Sequence, residues 1–245
     1  MLMGCFLLVK KQQDETFILL LLLNLESLRG GLLNLVSISK KLEKVYNIQI
    51  NILGFDTGTG MPSPIDYRDH PDLYLKGDFP MMFDILQESL PNNAKLVIGN
   101  VKETINSQLD LIDMNSPIGF ISFDLDYYSS TKDALSILHD KDPQKYLPII
   151  AIYLDDINLI PHNEYAGALL AVEEFNKELE LRKICAPHFL EKERIFKNPR
   201  WIKQMRYVHI MDHPHRYRYR EPEEVQFLEN PYLKFKGNKN KFVRN

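Results

Sequence analysis

Short apolar runs alternate with segments of helical periodicity along most of the chain. Five runs are typical of strands that are buried on both faces of a parallel sheet. They cover residues 17–25, 48–55, 95–98, 118–123 and 149–154. Helices are predicted at residues 32–46, 83–90, 101–111, 130–139 and 164–181. The fourth of these helices is predicted to open with a capping-box variant at Ser130. Ile184 and residues 207–211 predict two last strands in a hairpin-like edge.

This order of elements predicts one α/β domain with a mostly parallel central sheet. Strands that alternate with helices build βαβ units, and these units place helices on both faces of the sheet. One of the last strands is expected to run antiparallel at the edge. In a chain of 245 residues, we expect the domain to cover residues 1–215 and a polar, aromatic C-terminal tail to cover residues 216–245.

The composition narrows the class of protein. A formal net charge of −3 argues against a nucleic-acid-binding surface. Only two cysteines are present, Cys5 and Cys185, and their separation predicts no disulfide framework, which fits a reducing compartment. The longest apolar run, residues 17–23, is too short to span a bilayer, and no signal-peptide cleavage site follows it. We therefore expect a cytoplasmic protein that binds neither nucleic acid nor a membrane.

Two pairs of acidic residues follow the fourth and fifth predicted strands. Asp124 and Asp126 form the first pair, and Asp155 and Asp156 form the second. Ligands of open α/β sheets bind outside the carboxyl ends of the strands, and carboxylates that converge there need a cation or bound protons. The pattern predicts a divalent-metal site with a spare carboxylate base. The alternative is that one Asp of the first pair caps the next helix and the other is solvated.

Two weaker features occupy positions where nucleotide-binding folds hold their cofactors. Asp56 ends the second predicted strand, where such folds bind ribose hydroxyls, and a glycine-rich turn follows it. Glu26, Gly30 and Gly31 follow the first strand, where backbone amides at a helix start favour an anion or a carboxylate. Each feature taken alone is also typical of an ordinary turn or helix start.

The loop after the second strand is unusually long. It runs from Asp56 to about Phe79, and loops of this length commonly carry function or form lids. One hypothesis is a mobile lid over an acceptor molecule. The alternative is a fixed surface loop that is packed by Tyr67, Leu73 and Tyr74.

Taken together, these segments resemble the macrocin O-methyltransferase (TylF-like) family over residues 17–215, most of the chain. The family contains class I S-adenosylmethionine-dependent enzymes that methylate sugar hydroxyls. The most specific segment is residues 123–131, FDLDYYSST. Residues 54–62, GFDTGTGMP, and the Asp155-Asp156 pair ahead of a helix support it.

The resemblance implies a Rossmann-like class I methyltransferase fold, S-adenosyl-L-methionine and Mg²⁺ as cofactors, and a role for each matching residue. Asp126 would be the general base. The residues that would hold Mg²⁺ are Asp124, Asp155 and Asp156. The residues that would bind the cofactor are Glu26, Gly30 and Gly31 at the methionine part, Asp56 at the ribose and Asn100 near the adenine.

The predicted function is therefore Mg²⁺-assisted O-methylation of a hydroxyl on a sugar or another small natural product. The expected partner is a small hydroxyl-bearing acceptor, and a homo-oligomer is left open. Two alternatives remain. A metal-dependent glycosyltransferase would use Asp124 and Asp126 as its Asp-x-Asp motif. A catalytically decayed, methyltransferase-like scaffold is suggested by Leu28 and Leu32, two bulky residues beside the paired glycines.

Overall fold

The computed structural model describes residues 17–24, 28–112, 114–155, 157–159, 161–188 and 201–218. Two of the predicted site residues, Glu26 and Asp156, lie outside the described residues, as does most of the predicted C-terminal tail. The predicted domain boundary therefore stays a prediction.

Seven strands form one sheet in the order β3-β2-β1-β4-β5-β7-β6. Their bounds are β1 Phe17–Asn24, β2 Gln49–Asp56, β3 Ala94–Ile98, β4 Ile118–Asp124, β5 Tyr146–Leu154, β6 Arg182–Cys185 and β7 Met205–Ile210. The first five strands pair in parallel, because helical crossovers return the chain to the same end of the sheet each time. The predicted parallel α/β sheet is confirmed.

The antiparallel strand lies one position inside the edge. Strand β7 pairs antiparallel with β5 on one side and with β6 on the other. Strand β6 consequently runs parallel to the first five strands and forms the edge itself. The predicted pairing of the last two strands is confirmed, but the sequence order did not reveal that the later strand inserts between its predecessors.

The helices match the predicted order with local differences. Their bounds are α1 Leu28–Tyr46, α2 Phe83–Ser89, α3 Val101–Thr104, α4 Tyr128–Leu135, α5 Gly167–Glu178 and α6 Trp201–Gln204. The predicted helix 101–111 divides into α3 and a 3₁₀ segment, Asn106–Leu111. The predicted start at Ser130 is wrong, because α4 is capped at Tyr127 and Ser130 is buried inside it.

Two apolar clusters cover the two faces of the sheet. On one face, Leu32 of α1 packs with Ile50 and Ile52 of β2. On the other, Leu53 and Phe55 of the same strand pack in a cluster with the apolar sides of α3, α4 and α5. Successive side chains of a strand point to opposite faces, so one apolar strand supplies both clusters. Among the described helices, none is long and apolar enough to cross a membrane.

Candidate functional site

The carboxyl ends of β4 and β5 bring the two acidic pairs to the same edge of the sheet. Phe123 pairs with Leu154, and the Asp155 N–H donates to the Phe123 carbonyl at 2.9 Å. The ladder therefore continues one residue beyond β5, and the backbones of Asp124 and Asp155 lie side by side. Strands β4 and β5 are therefore neighbours, whereas Asp156 lies outside the described part of the chain.

Asp155 is held in place by two polar side chains that the sequence did not single out. Its Oδ1 accepts a hydrogen bond from Gln204 Nε2 at 2.6 Å and a longer one from the Tyr153 hydroxyl at 3.4 Å. The single hydrogen of the Tyr153 hydroxyl is shared between Asp155 Oδ1 and Gln204 Oε1, which lies closer at 3.0 Å. Gln204 is buried at the end of α6, directly before β7. No local pattern marks such a residue, because its role depends on how β7 inserts beside β5.

Asp126 lies in a strained turn and not in a continuation of β4. Its φ is +51°, in the left-handed region, and the Tyr127 N–H donates to the Leu125 carbonyl across it. A γ-turn of this hand is uncommon, and backbone strain of this kind clusters at functional sites. Extended backbone therefore does not continue from Asp124 to Asp126. The side chain is 6% exposed, and its Oδ1 accepts a hydrogen bond from the Tyr74 hydroxyl at 3.0 Å.

The residues that suit a metal ion are only partly within the described structure. Across its described ranges, no group of three or more His, Cys, Asp or Glu side chains is placed to hold an ion. Asp124 and Asp155 provide the carboxylate oxygens that Mg²⁺ prefers, and the third predicted ligand, Asp156, is not described. The donor chemistry fits Mg²⁺, and the three-carboxylate site stays a prediction.

Asp56 ends β2 with its carboxylate turned back onto the chain. Its Oδ1 accepts a hydrogen bond from the Gly58 N–H at 2.6 Å, and the residue is only 3% exposed. Burial raises the pKa of the Asp56 carboxyl to about 6, although the Gly58 hydrogen bond opposes the shift. A buried carboxylate with one oxygen engaged is suited to accept hydroxyl hydrogens from a ligand.

The other predicted cofactor residues line the same edge. Asn100 is exposed and follows β3, which pairs with the end of β2, and its Oδ1 caps α3 by accepting the Lys102 N–H at 3.0 Å. Gly30 and Gly31 lie in the first turn of α1, and Gly31 is exposed. Leu32 is fully buried in the core and therefore does not crowd this edge.

The two ends of the long loop after β2 are hydrogen-bonded to each other, at Met61 on one side and Gly77 and Asp78 on the other, and this point is the neck of the loop. The Met61 N–H donates to the Asp78 carbonyl at 2.8 Å, and the Gly77 N–H donates to the Met61 carbonyl at 2.9 Å. Gly60 has a φ of +89°, and a side chain there would meet the Gly77 carbonyl oxygen at 2.7 Å. Only glycine fits a neck this narrow.

Asp69 anchors the middle of the loop to α4. Its side chain is 1% exposed, and its Oδ1 accepts the Ser129 N–H at 2.8 Å. Its Oδ2 accepts the Ser129 hydroxyl at 2.8 Å and the Ile65 N–H at 2.9 Å. Polar contacts therefore hold the loop, whereas Tyr67 and Leu73, named for the fixed-loop alternative, are exposed. Whether the loop moves stays a prediction.

Two buried histidines adjoin Asp126. The rings of His70 and His162 lie 4.7 Å apart between centroids. Gly167, at the start of α5 with a φ of +61°, allows this approach, because a side chain there would meet His70 Nε2 at 3.0 Å. Burial, followed by the nearby His70, lowers the pKa of His162 to about 4, so this imidazole is neutral at physiological pH.

Comparisons with known proteins support the fold. No family model matches the chain, and the curated proteins give no significant match. Among solved structures, the chain is similar to CalS11, a calicheamicin methyltransferase, with a TM-score of 0.52 and 21% identity. The likeness covers 85% of this chain and 76% of that one. The chain therefore has the Rossmann-like α/β fold of that methyltransferase.

Proposed function

We propose that this protein is an S-adenosylmethionine-dependent, Mg²⁺-assisted O-methyltransferase that acts on a hydroxyl of a sugar or another small natural product. The observation that carries the proposal is the strained, buried Asp126 beside Asp124 and Asp155 at the carboxyl edge of the sheet. The likeness to a natural-product methyltransferase supports the reaction class. Ligands of open α/β sheets bind at this edge.

The cofactor would lie along the ends of β1, β2 and β3. S-adenosylmethionine, when bound, supplies an electrophilic methyl group on a sulfonium. Asp56 would accept hydrogen bonds from the ribose hydroxyls, and its Gly58 contact fixes the direction of the carboxylate. Asn100 would lie near the adenine, and the exposed Gly31 lets the α1 backbone approach the methionine part. Gly30, in the same turn of α1, and Glu26, which lies outside the described residues, would complete that part of the site.

The acceptor would lie along the ends of β4 and β5. Asp124, Asp155 and Asp156 would hold Mg²⁺, which lowers the pKa of a coordinated hydroxyl. Gln204 fixes the orientation of Asp155, as hydrogen-bonding partners of metal ligands commonly do.

Asp126 would act as the general base. It would take the proton of the acceptor hydroxyl, whose oxygen would then receive the methyl group that the cofactor supplies. The residues that fix Asp126 and Asp155 would hold the acceptor oxygen in place, and such positioning supplies much of the rate of a transfer reaction.

Calorimetry with S-adenosylhomocysteine, with and without Mg²⁺, tests the proposal. We expect binding by the wild type and weaker binding by Asp56→Ala, by about tenfold or more for the loss of a charged hydrogen-bond partner. Asp72→Ala, which changes an exposed carboxylate of the loop, is the control. No binding would support the decayed-scaffold alternative, and binding of a nucleotide-sugar alone would support the glycosyltransferase alternative.

A further inference from the structure

We propose that Tyr74 is a positioning residue that fixes the carboxylate of Asp126 for proton transfer, and that the long loop after β2 exists to deliver it. This inference rests on the proposed function, since it assumes that Asp126 is the base. Its direct support is the hydrogen bond from the Tyr74 hydroxyl to Asp126 Oδ1 at 3.0 Å.

The sheet order explains why a long loop is needed. Strand β1 lies between β2, where the loop begins, and β4, which Asp126 follows. The loop must therefore pass over the end of β1 to reach Asp126. Asp69 completes the crossing, because both of its carboxylate oxygens bind Ser129 in the first turn of α4.

A turn that follows Asp69 orients Tyr74 toward Asp126. His70 has a φ of +50°, and its carbonyl accepts the N–H groups of Leu73 at 2.9 Å and Tyr74 at 3.2 Å. The Tyr74 ring then packs edge-on against Tyr127, with 5.9 Å between centroids and 62° between planes. The Asp69 contacts, the turn at His70 and the ring contact together restrict the position of the Tyr74 hydroxyl.

The hydrogen bond from Tyr74 affects how the Asp126 carboxylate is oriented. The Asp126 carboxylate is buried, and its residue lies in a left-handed turn. A phenol that donates to one of its oxygens restricts the rotamer of that carboxylate. A displacement of about 1 Å in a reacting group costs on the order of a hundredfold in rate.

The test compares Tyr74→Phe with Tyr67→Phe. Each variant removes one hydroxyl from a tyrosine of the same loop, but Tyr67 is exposed. With an acceptor found by screening hydroxyl-bearing natural products, we expect Tyr74→Phe to lower kcat by roughly tenfold to a hundredfold. S-adenosylhomocysteine affinity should stay unchanged, and Tyr67→Phe should match the wild type.

A second measurement separates direct action from general loosening. In an Asp126→Ala background, Tyr74→Phe should cause no further loss of residual activity, because coupled residues are not additive. By NMR with [¹³Cζ]tyrosine, the Tyr74 signal should move in Asp126→Ala, while that of the exposed Tyr217 should not.

The outcomes are distinguishable. Wild-type kcat in Tyr74→Phe overturns the inference, as does a parallel loss of kcat and cofactor affinity. An unmoved Tyr74 signal overturns it even if activity falls. If the wild type binds S-adenosylhomocysteine but Asp126→Ala retains full activity, the assignment of the base fails instead.

Discussion

The buried Asp69 offers the sharpest test of how the loop is held. Replacing it with Ala leaves three donors without their acceptor: the N–H and hydroxyl of Ser129 and the N–H of Ile65. Each buried donor without a partner costs ~1–3 kcal/mol, and water will satisfy part of this set. We expect Asp69→Ala to lower the free energy of unfolding by about 3 kcal/mol. For a chain of this size, that corresponds to a fall in Tm of ~6–12 °C.

Thermal and urea unfolding measure the loss, and limited trypsin digestion locates it. Cleavage after Arg68 or Lys76, both within the loop, should become faster in Asp69→Ala than in the wild type. Asp69→Asn keeps one carbonyl acceptor and should lie between the two. Asp72→Asn is the control, because Asp72 is an exposed carboxylate of the same loop and its loss should change neither measurement.

An unchanged Tm together with unchanged cleavage in Asp69→Ala would refute this account of the anchor. A large fall in Tm without faster cleavage in the loop would show that Asp69 supports α4 and not the loop. The same digestion, repeated with S-adenosylhomocysteine and Mg²⁺, tests the lid hypothesis. A lid should become protected, whereas a fixed loop should resist equally in both conditions.

Three further variants test other parts of the site. Burial raises the pKa of Asp56 to about 6, so between about pH 4 and 6 the folded protein keeps a proton that the unfolded chain releases. The free energy of unfolding without ligand should therefore fall as pH rises through that window, and urea titrations of Asp56→Asn should show no such fall. Gln204→Leu should weaken Mg²⁺ binding by ~10–100-fold in calorimetry, through Asp155, without abolishing folding. In urea unfolding, Gly167→Ala should destabilise the protein more than Gly77→Ala does, because both glycines have positive φ but only Gly167 would place a methyl against an imidazole. Equal losses of stability in the two variants would contradict the close contact.

The elements that depend on local pattern were predictable from the sequence. Continuous apolar runs gave all five parallel strands, because a strand buried on both faces needs no polar alternation. The adjacency of Asp124 and Asp155 followed as well, since parallel strands end at one edge. The resemblance to sugar-hydroxyl methyltransferases pointed to the same edge through residues 123–131 and the Asp155-Asp156 pair.

The contacts that complete the site lie beyond the range of such patterns. Tyr74 and Asp126 are separated by 52 positions, and Asp69 and Ser129 by 60. Neither pair has a periodicity or spacing that marks it, because each forms only once the loop crosses the end of β1. The left-handed turn at Asp126 was likewise hidden, since Asp tolerates this conformation without any accompanying glycine.

Because its two ends meet at a narrow neck, the loop can be exchanged as one segment. Met61 and Gly77 bind each other across the neck, so the loop leaves and re-enters the domain at nearly the same point. Exchange of residues 62–76 would therefore leave the strand ends undisturbed. A replacement segment that kept Asp69 and Tyr74 at their distances from the neck would still dock on α4 and reach Asp126. If the proposed function holds, the remaining positions of the loop are free to vary with the acceptor while the contacts of Asp69 and Tyr74 are kept.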